Sequence, residues 1–410
     1  MSKVRVHSSR QVLFLLVILA TGAGFHARAR RVLATGASAQ PLQATSSRAF
    51  TADAVLGQPS FTTPTCNNPV LGSSQQLCHP VGVAVDESSG LLFVADGDNN
   101  RVLIWPSATD FTNGEPASVV LGQPDFSIGR KCTGSTTAHT ICDPNGLVVD
   151  ASGHLFVSDT DGDRILRFSP PFSNDMAADM VIGQRSLSTS ICGVGPDILC
   201  SPRDVGFDAS SNLFVADSDN NRVLVFKAPL TSGERASLVI GQASFNDKHC
   251  NRNGSPAADT LCGPKGLVLD SAGNLYVAED DNSRVVEFND PLHAAATDIA
   301  ARLVFGQPDF TTTACNVGAS GLCHPDHVAL GRSGQLIVSD SDNNRLLVYD
   351  NPLSNTTANQ VIGQPDFTSN TPTTSASGFA GPKAITVDKA GNLYVTDEDN
   401  NRLVRFDRAE

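Results

Sequence analysis

The sequence predicts an all-β fold, a six-bladed β-propeller with four-stranded blades. A Gly-Gln pair recurs at intervals of 57 to 65 residues, at Gly57, Gly122, Gly183, Gly241, Gly306 and Gly363. Each pair is followed by a polar loop, a proline and three short runs rich in Val, Leu, Ile and Phe. No apolar spacing of 3.6 residues is sustained, so the repeats consist of strands rather than helices.

Each repeat contains four runs of strand length. Examples are Gly82 to Val85 after the proline, Leu213 to Ala216 after a small-residue turn, and Val223 to Phe226 after an acidic turn. The segment at the Gly-Gln pair supplies the fourth. A sheet of four such strands has two apolar faces, and radial stacking of the sheets buries both.

The phase of the repeats predicts how the ring closes. The first Gly-Gln segment, Ala54 to Gln58, precedes any complete repeat, and the chain ends just after the third run of the last one, Leu403 to Phe406. The last blade therefore lacks a strand that the N-terminal segment can supply, and pairing the two leaves no open sheet edge there.

The N-terminus has the pattern of an export signal. Lys3, Arg5 and Arg10 precede an apolar run at 12–20, and Ala27-Arg28-Ala29 forms a cleavage motif. We expect a signal peptide at 1–29, a flexible linker at 30–50 and the propeller at 51–410. A second motif at 37–39 leaves cleavage there as an alternative, and retention as a membrane anchor is another. The expected location is secreted, extracellular or periplasmic, with no membrane span in the mature chain.

Charge argues against a nucleic-acid partner. The chain has a net charge of -13, which becomes -17 without its first 29 residues. Such a surface repels phosphate backbones, so we expect no nucleic-acid binding.

Several repeated phrases resemble the NHL-repeat family of β-propellers. They are Pro-x-Gly before the first strand of a blade, Gly-Asn-Leu-Tyr-Val at 273–277 and 391–395, and Ala-Asp-x-Asp-Asn-Asn-Arg-Val-Leu-Val-Phe at 216–226. The resemblance covers about residues 51–410. It departs from the family in lacking the signature histidine (Asn99-Asn100-Arg101) and in its longer loops. No RING-like or B-box-like spacing precedes the repeats, so the resemblance does not extend to the ubiquitin-ligase members.

Ten cysteines occupy five of the six long loops as local pairs. The predicted disulfides are Cys66 with Cys78, Cys132 with Cys142, Cys192 with Cys200, Cys250 with Cys262, and Cys315 with Cys323. The sixth loop, at 368–381, contains none. Thiolate metal sites are the alternative, because His79, His139, His249 and His324 lie near cysteines.

An acidic turn closed by arginine occurs in every repeat. We expect a structural ion pair between its first carboxylate and the arginine, in the pairs Asp96 and Arg101, Asp159 and Arg164, Asp217 and Arg222, Glu279 and Arg284, Asp340 and Arg345, and Asp397 and Arg402. Calcium binding is the alternative, although the turns lack the glycine and the final glutamate of an EF-hand loop.

Residues around the start of the first strand are candidates for the mouth of the central channel. Most repeats have small or plain residues there, and the exceptions are His79, Asp204, His324 and His327. Related propeller enzymes such as the peptidylglycine amidating lyases have a histidine-bound metal in this region, so His79, His324 and His327 could hold one. Solvated loop histidines are the other interpretation.

The resulting hypothesis is a binding scaffold that uses its loop-rich face. The expected ligand is a protein or a carbohydrate, the expected state is a monomer, and no cofactor is required, with calcium or zinc as alternatives. A metal-dependent lyase or hydrolase with its site at the channel mouth is the second hypothesis. A purely structural role in the cell envelope is the third.

Overall fold

The computed structural model describes residues 50–66, 73–128, 136–294 and 299–408. The predicted signal peptide and almost all of the predicted linker lie outside them. In the described part of the chain, no helix is long and apolar enough to cross a membrane.

The strands are short and regularly spaced. They are β1 (Ala54–Leu56); β2 (Pro80–Val85), β3 (Leu92–Asp96), β4 (Arg101–Trp105), β5 (Val119–Leu121); β6 (Pro144–Val149), β7 (Leu155–Asp159), β8 (Arg164–Phe168), β9 (Met180–Ile182); β10 (Pro202–Phe207), β11 (Leu213–Asp217), β12 (Arg222–Phe226), β13 (Leu238–Ile240); β14 (Pro264–Leu269), β15 (Leu275–Glu279), β16 (Arg284–Phe288), β17 (Leu303–Phe305); β18 (Pro325–Leu330), β19 (Leu336–Asp340), β20 (Arg345–Tyr349), β21 (Gln360–Ile362); β22 (Pro382–Val387), β23 (Leu393–Asp397) and β24 (Arg402–Phe406). Short 3₁₀ segments lie at Gly97–Asn99, Ser218–Asn220, Cys250–Asn253 and Ser341–Asn343.

Six antiparallel four-stranded sheets form the blades of a propeller. Blade 1 is β2 to β5, the next four blades follow in chain order, and blade 6 is β22 to β24 with β1 at its outer edge. The first strands of neighbouring blades contact one another around the ring, including β2 with β22. The predicted fold class is confirmed.

Closure of the ring uses the N-terminal strand, as the repeat phase predicts. β1 pairs antiparallel with β24, so that Ala54 lies opposite Arg405 and Leu56 lies opposite Leu403. The strand is shorter than the predicted segment and ends before Gly57, whose φ of +82° turns the chain into the first loop.

The apolar core consists of layers between successive blades. Between blades 6 and 1, for example, Tyr394 and Leu403 pack with Leu92, Leu103 and Trp105. Each of the other five clusters likewise joins two neighbouring blades. This arrangement buries both faces of each sheet, which an isolated blade could not do.

The Gly-Gln pair fixes each long loop against the acidic turn. At Gly57 a Cβ would lie 2.5 Å from the side chain of Leu77, so a side chain does not fit. The glutamine Nε2 donates to a carbonyl oxygen of the acidic turn in all six blades, at 2.7–3.0 Å. The repeated pair therefore holds the loops in one position relative to the turns.

A latch connects each blade to the next. The residue before the turn arginine has a left-handed backbone, and its side-chain oxygen accepts the N–H that precedes the proline of the following blade. Asn100, with φ of +53°, accepts from Asp143 at 2.9 Å in this way. Asparagine tolerates this backbone conformation better than most residues, which explains its frequency in the turns.

Candidate functional site at the channel mouth

The acidic turns and the long loops meet on one face of the propeller. In every blade the turn arginine donates from Nε to the first turn carboxylate at 2.5–2.7 Å, with both side chains fully buried. The same carboxylate accepts the N–H two residues before the proline at 2.5–2.9 Å. These pairs are structural parts of the loop face.

The remaining guanidinium hydrogens hold the long loop. Arg402 donates from its Nη2 to the carbonyl oxygens of Ser375 and Gly378 at 2.9 and 2.8 Å. Arg101 binds the carbonyls of Ser73 and Gln76 in the equivalent way, at 3.0 Å each. Each arginine therefore connects three chain segments, a role that the sequence pattern of a single turn does not reveal.

Four of the predicted disulfides are confirmed. Cys66 with Cys78, Cys192 with Cys200, Cys250 with Cys262, and Cys315 with Cys323 are bridged, with Cα atoms 4.3–4.6 Å apart. The fifth predicted pair, Cys132 with Cys142, includes a residue outside the described part of the chain. The bridged sulfurs are not available as thiolate ligands for a metal.

Burial has the largest effect on the pKa of the first carboxylate of each turn. It raises the pKa of Asp159, Asp217, Asp340 and Asp397 to about 6, because removal from water outweighs the opposing effects of the arginines and the hydrogen bonds. Burial raises the pKa of Asp96 and Glu279 for the same reason.

A ring of dissimilar residues lies directly after the repeated prolines, at Val81, Asn145, Arg203, Lys265, Asp326 and Lys383. The sequence analysis selected the positions before and after this one and missed it. Lys265 Nζ lies 3.2 Å from Asp326 Oδ2, and Lys383 Nζ lies 2.9 Å from the same oxygen. Two ammonium groups from blades 4 and 6 therefore share one carboxylate of blade 5.

This cluster continues on both sides as alternating acidic and basic side chains. Lys265 also lies 3.1 Å from Asp280, which lies 3.2 Å from His324 Nδ1. On the other side, Lys383 lies 3.3 Å from Glu398, which lies 3.6 Å from His79 Nδ1. We call these seven side chains the charged arc; it spans blades 4, 5 and 6 and ends at blade 1.

The three central groups of the arc, Lys265, Asp326 and Lys383, keep their charges at neutral pH. Burial alone would raise the pKa of Asp326, but the ammonium groups of Lys383 and Lys265 outweigh it and hold that pKa below its usual range. Burial alone would lower the pKa of both lysines, but Asp326, with Asp280 beside Lys265 and Glu398 beside Lys383, raises each above its ordinary value.

Asp204 and His327 meet within the channel. His327 Nε2 lies 3.4 Å from Asp204 Oδ2, and Ile385 donates its N–H to His327 Nδ1 at 3.5 Å. The same Asp204 oxygen accepts the N–H of Leu267 at 2.8 Å. The pair joins blades 3 and 5, and its backbone partners come from blades 4 and 6.

The absence of a side chain at Gly266 allows the pair to form. A Cβ at Gly266 would lie 2.5 Å from the Cα of His327, and one at Gly146 would lie 2.6 Å from the Cα of Asp204. Small residues in one blade therefore make room for the large ones of the next.

The three candidate histidines face different partners. His79 faces Glu398, His324 faces Asp280 and His327 faces Asp204. His79, Glu398 and Asp399 do place ligand atoms within 4.8 Å of one another. His327 has both ring nitrogens occupied by protein groups, so it has none free for a metal.

In the half of the mouth formed by blades 1 to 3, the basic residue and its carboxylate lie further apart. Arg203 Nη1 lies 3.9 Å from Asp143 Oδ2, a looser contact than any between the lysines and carboxylates of the charged arc. The second carboxylate of every turn is exposed at the rim, at Asp98, Asp161, Asp219, Asp281, Asp342 and Asp399. The mouth therefore has one closely charge-paired side, inside a rim of carboxylates that runs through all six blades.

Comparisons with known proteins agree with this architecture. The model of the teneurin NHL domain matches residues 122–410, and the NHL repeat model matches residues 77–105. The chain is 22% identical to Teneurin-3 of Danio rerio over 343 residues, which are 78% of this chain and 11% of that protein. It is 24% identical to NHL repeat-containing protein 2 of Bos taurus over 381 residues, which are 81% of this chain and 47% of that protein.

The chain thus spans less than half the length of either relative. Among solved structures, a Bacteroides thetaiotaomicron protein of unknown function superimposes with a TM-score of 0.53 at 15% identity, covering 86% of this chain and 74% of that one. That likeness concerns the fold alone. Since the teneurin NHL model covers well over half of the sequence, the chain belongs to the NHL-repeat family of β-propellers.

Proposed function

We propose that this propeller is a binding scaffold whose ligand contacts the loop face at the channel mouth. One observation supports this most directly. The arginine pairs, glutamines and latches recur in all six blades, whereas the ring after the prolines carries six side chains of which only two are alike. A rigid repeated frame that presents different polar groups at one opening is suited to recognition.

The charge of the face narrows the class of ligand. The six exposed rim carboxylates surround the mouth and repel phosphate groups. A protein or a carbohydrate therefore suits this face better than a nucleic acid does.

The disulfides are compatible with an extracellular location, and Teneurin-3 is a homologue. We propose that the protein is secreted or periplasmic, since disulfides persist in oxidising compartments. N-terminal sequencing of exported protein should then begin at residue 30 or 40. An intact N-terminus on protein held in the membrane would favour the anchor instead.

The binding hypothesis is tested by blocking one face at a time. Asp161→Arg places a long side chain on the mouth side of blade 2, and Ala151→Arg places the same side chain on the opposite face of that blade. Both original residues are exposed. Wild type is screened on arrays of extracellular proteins and glycans, and we expect its ligands to be lost by Asp161→Arg and kept by Ala151→Arg. The reverse pattern, or no ligand for wild type, would contradict the proposal.

A metal-dependent lyase or hydrolase is the second candidate, and among the residues that the structure describes the cluster of His79, Glu398 and Asp399 supports it. Glu398 already pairs with Lys383, so an ion would have to compete with that ammonium group. Titration with Zn²⁺ or Ca²⁺, monitored by calorimetry, separates the candidates. Stoichiometric binding that His79→Ala removes would support the metal site, and equal weak heats in both proteins would support the scaffold.

A further inference from the structure

Each disulfide that the structure describes lies beside the second carboxylate of its acidic turn. The contact joins Oδ2 of the aspartate to Sγ of the second cysteine at 3.4–4.0 Å, in the pairs Asp98 and Cys78, Asp219 and Cys200, Asp281 and Cys262, and Asp342 and Cys323. The same turn position in blade 6 is Asp399, whose loop contains no cysteine. The carboxylate therefore belongs to the repeated turn, and the cysteine loops place a sulfur atom beside it.

The two cysteines of each bridge differ in exposure. The first ones are exposed, at Cys66, Cys192, Cys250 and Cys315. The second ones are only 2–5% exposed, at Cys78, Cys200, Cys262 and Cys323. A reducing thiolate bonds to one sulfur and expels the other as a thiolate. The accessible attack is therefore on the first cysteine, and it expels the second.

Blade 4 illustrates the cost of that attack. When a thiolate bonds to Cys250 Sγ, the electron pair of the broken bond passes to Cys262 Sγ. That sulfur lies 3.4 Å from Asp281 Oδ2, and its residue is 2% exposed. The thiolate formed there is repelled by the carboxylate and has little water to stabilise it, so it leaves slowly.

The opposite route is blocked by burial. It would leave the negative charge on Cys250 Sγ, which has Asn251 Nδ2 as a donor at 3.4 Å. To follow it, however, an anion must reach the buried Cys262 beside the Asp281 carboxylate. The accessible route thus expels the less stable thiolate, and the route to the more stable one is closed.

Blade 3 adds a second carboxylate. Cys200 Sγ lies 4.0 Å from Asp219 Oδ2, and Asp163 has a carboxylate oxygen within 4.8 Å of both bridged sulfurs. Blades 1 and 5 differ, because ring nitrogens of His79 and His324 lie in the corresponding clusters and offset the carboxylate when protonated. Blades 3 and 4 therefore isolate the effect of the carboxylates.

We propose that the second carboxylates of the turns protect the disulfides from reduction by small anionic thiols. In the first step the external thiolate bonds to the exposed cysteine and the second cysteine leaves as a thiolate. A second external thiolate then releases the first cysteine and departs as the disulfide of the reagent. Two thiols are oxidised, the bridge is reduced, and the two cysteine thiolates take up the two protons. The carboxylate slows the first step, so the loops stay closed where low-molecular-weight thiols are present.

The test measures the reduction of each bridge in the folded protein. Mercaptoethanol is added at fixed pH and low ionic strength, where exposed charges are least screened, and free thiols are alkylated and mapped by mass spectrometry at successive times. Asp281→Asn removes the charge and should speed reduction of Cys250–Cys262 by about three- to tenfold, leaving Cys192–Cys200 within about twofold. Asp219→Asn should show the reverse specificity, by about two- to fivefold, because Asp163 remains. Each variant is thus the control for the other.

The charge of the reagent gives a second readout. At neutral to mildly alkaline pH the reactive form of cysteamine has no net charge, that of mercaptoethanol has one negative charge and that of thioglycolate has two. Each rate is divided by the rate of the same thiolate with the neutral disulfide of mercaptoethanol. The corrected rates for Cys250–Cys262 should fall in that order, and Asp281→Asn should narrow the spread.

The first intermediate tests the direction of attack. With an alkylating agent present during the reaction, the mixed disulfide should be found on Cys250 and the alkylated thiol on Cys262. A mixed disulfide on Cys262 would overturn the assignment of the accessible route.

Hydrogen exchange separates charge from loosening of the loop. The Cys262 amide donates to Glu279 Oε1 at 2.9 Å, and its protection should stay within about twofold of wild type in Asp281→Asn. Faster reduction with an equal loss of this protection would show that the loop has opened and would overturn the proposal. Unchanged reduction rates in Asp281→Asn, or equal acceleration of both bridges, would also overturn it.

Discussion

The arginine of each turn fastens a long loop, and blades 3 and 6 allow that role to be measured. The loop at 368–381 in blade 6 has no cysteines, whereas Cys192 and Cys200 bridge the loop of blade 3. Arg402→Lys and Arg222→Lys keep the positive charge and remove the planar group with its several donors. Together the two substitutions therefore test the same contacts in a loop with a disulfide and in a loop without one.

The expected loss follows from the contacts. Arg402 donates to Asp397 and to the carbonyls of Phe61, Ser375 and Gly378. Lysine can keep the bond to Asp397 and about one other, so two bonds from a charged donor are lost. Each contributes about 1.5–3 kcal/mol, and water that enters at the loop offsets part of this, which leaves about 2–4 kcal/mol.

Hydrogen exchange measures this loss directly. In Arg402→Lys, protection of the Ala380 amide, which donates to Asp397 at 2.7 Å, should fall by roughly 30- to 900-fold. In Arg222→Lys, protection of the equivalent Cys200 amide should fall by about tenfold only, because the disulfide holds the loop near the turn. Reduction of the disulfides should lower the protection of the Cys200 amide in Arg222→Lys by the same factor as that of the Ala380 amide in Arg402→Lys.

Two results would refute this reasoning. Equal exchange in the two oxidised variants would show that the bridges do not restrain the loops. Unchanged protection of Ala380 in Arg402→Lys would show that the guanidinium contacts do not hold the loop.

Three further predictions concern the frame and the charged arc. Non-reducing peptide mapping should recover five local crosslinks, each contributing about 2–3 kcal/mol by loop closure, and a bridge between two blades would contradict the pairing. Removal of residues 1–49 should leave the melting temperature nearly unchanged, whereas removal through Gln58 takes away β1 and should open the ring. Equal melting temperatures for the two truncated proteins would contradict closure by β1. Asp326→Asn leaves two ammonium groups, 23% and 18% exposed, without their shared carboxylate and should cost about 1–3 kcal/mol at pH 7. Because the folded pKa of Asp326 lies below its ordinary value of 3.8, this stabilisation is present above pH 3.8 and is lost as the pH falls through the folded value. The difference in melting temperature between wild type and Asp326→Asn should thus persist from pH 7 to pH 4 and narrow only in stronger acid; a gap that closes near neutrality would refute it.

The repeated parts of the fold could be predicted because each appears six times in the same phase. The Gly-Gln pair and the proline mark the start and end of each long loop. The apolar runs between one long loop and the next are each long enough for one strand. Closure was predictable for the same reason, since a four-strand unit split between the two ends of the chain is visible as a shift of phase. The turn arginine was assigned one partner from its spacing, but its bonds to loop carbonyls 24 to 27 residues earlier were not.

The charged arc could not be predicted, because its members are far apart in sequence and differ in type. Lys265 and Asp326 are separated by 61 residues, and nothing in either repeat marks them as partners. They meet because the position after the proline is the same in every blade and the ring brings these positions together. A search for the repeat position with the most varied charge, rather than for unusual histidines, would have found them.

The histidines show why an unusual residue is a weak indicator of a shared site in a ring. His324 and His327 are three residues apart, yet one faces the turn of blade 4 and the other faces Asp204 of blade 3 across Gly266. His324 lies before β18 with a left-handed backbone, and the register of β18 shifts between Pro325 and His327, so these nearby positions serve different neighbours. The pairing of His327 depends on a glycine 61 residues earlier, where a Cβ would lie 2.5 Å from its Cα. The chemistry of this mouth is thus determined by combinations of positions from different blades, and the small residues that admit the large ones are as specific as the charged groups.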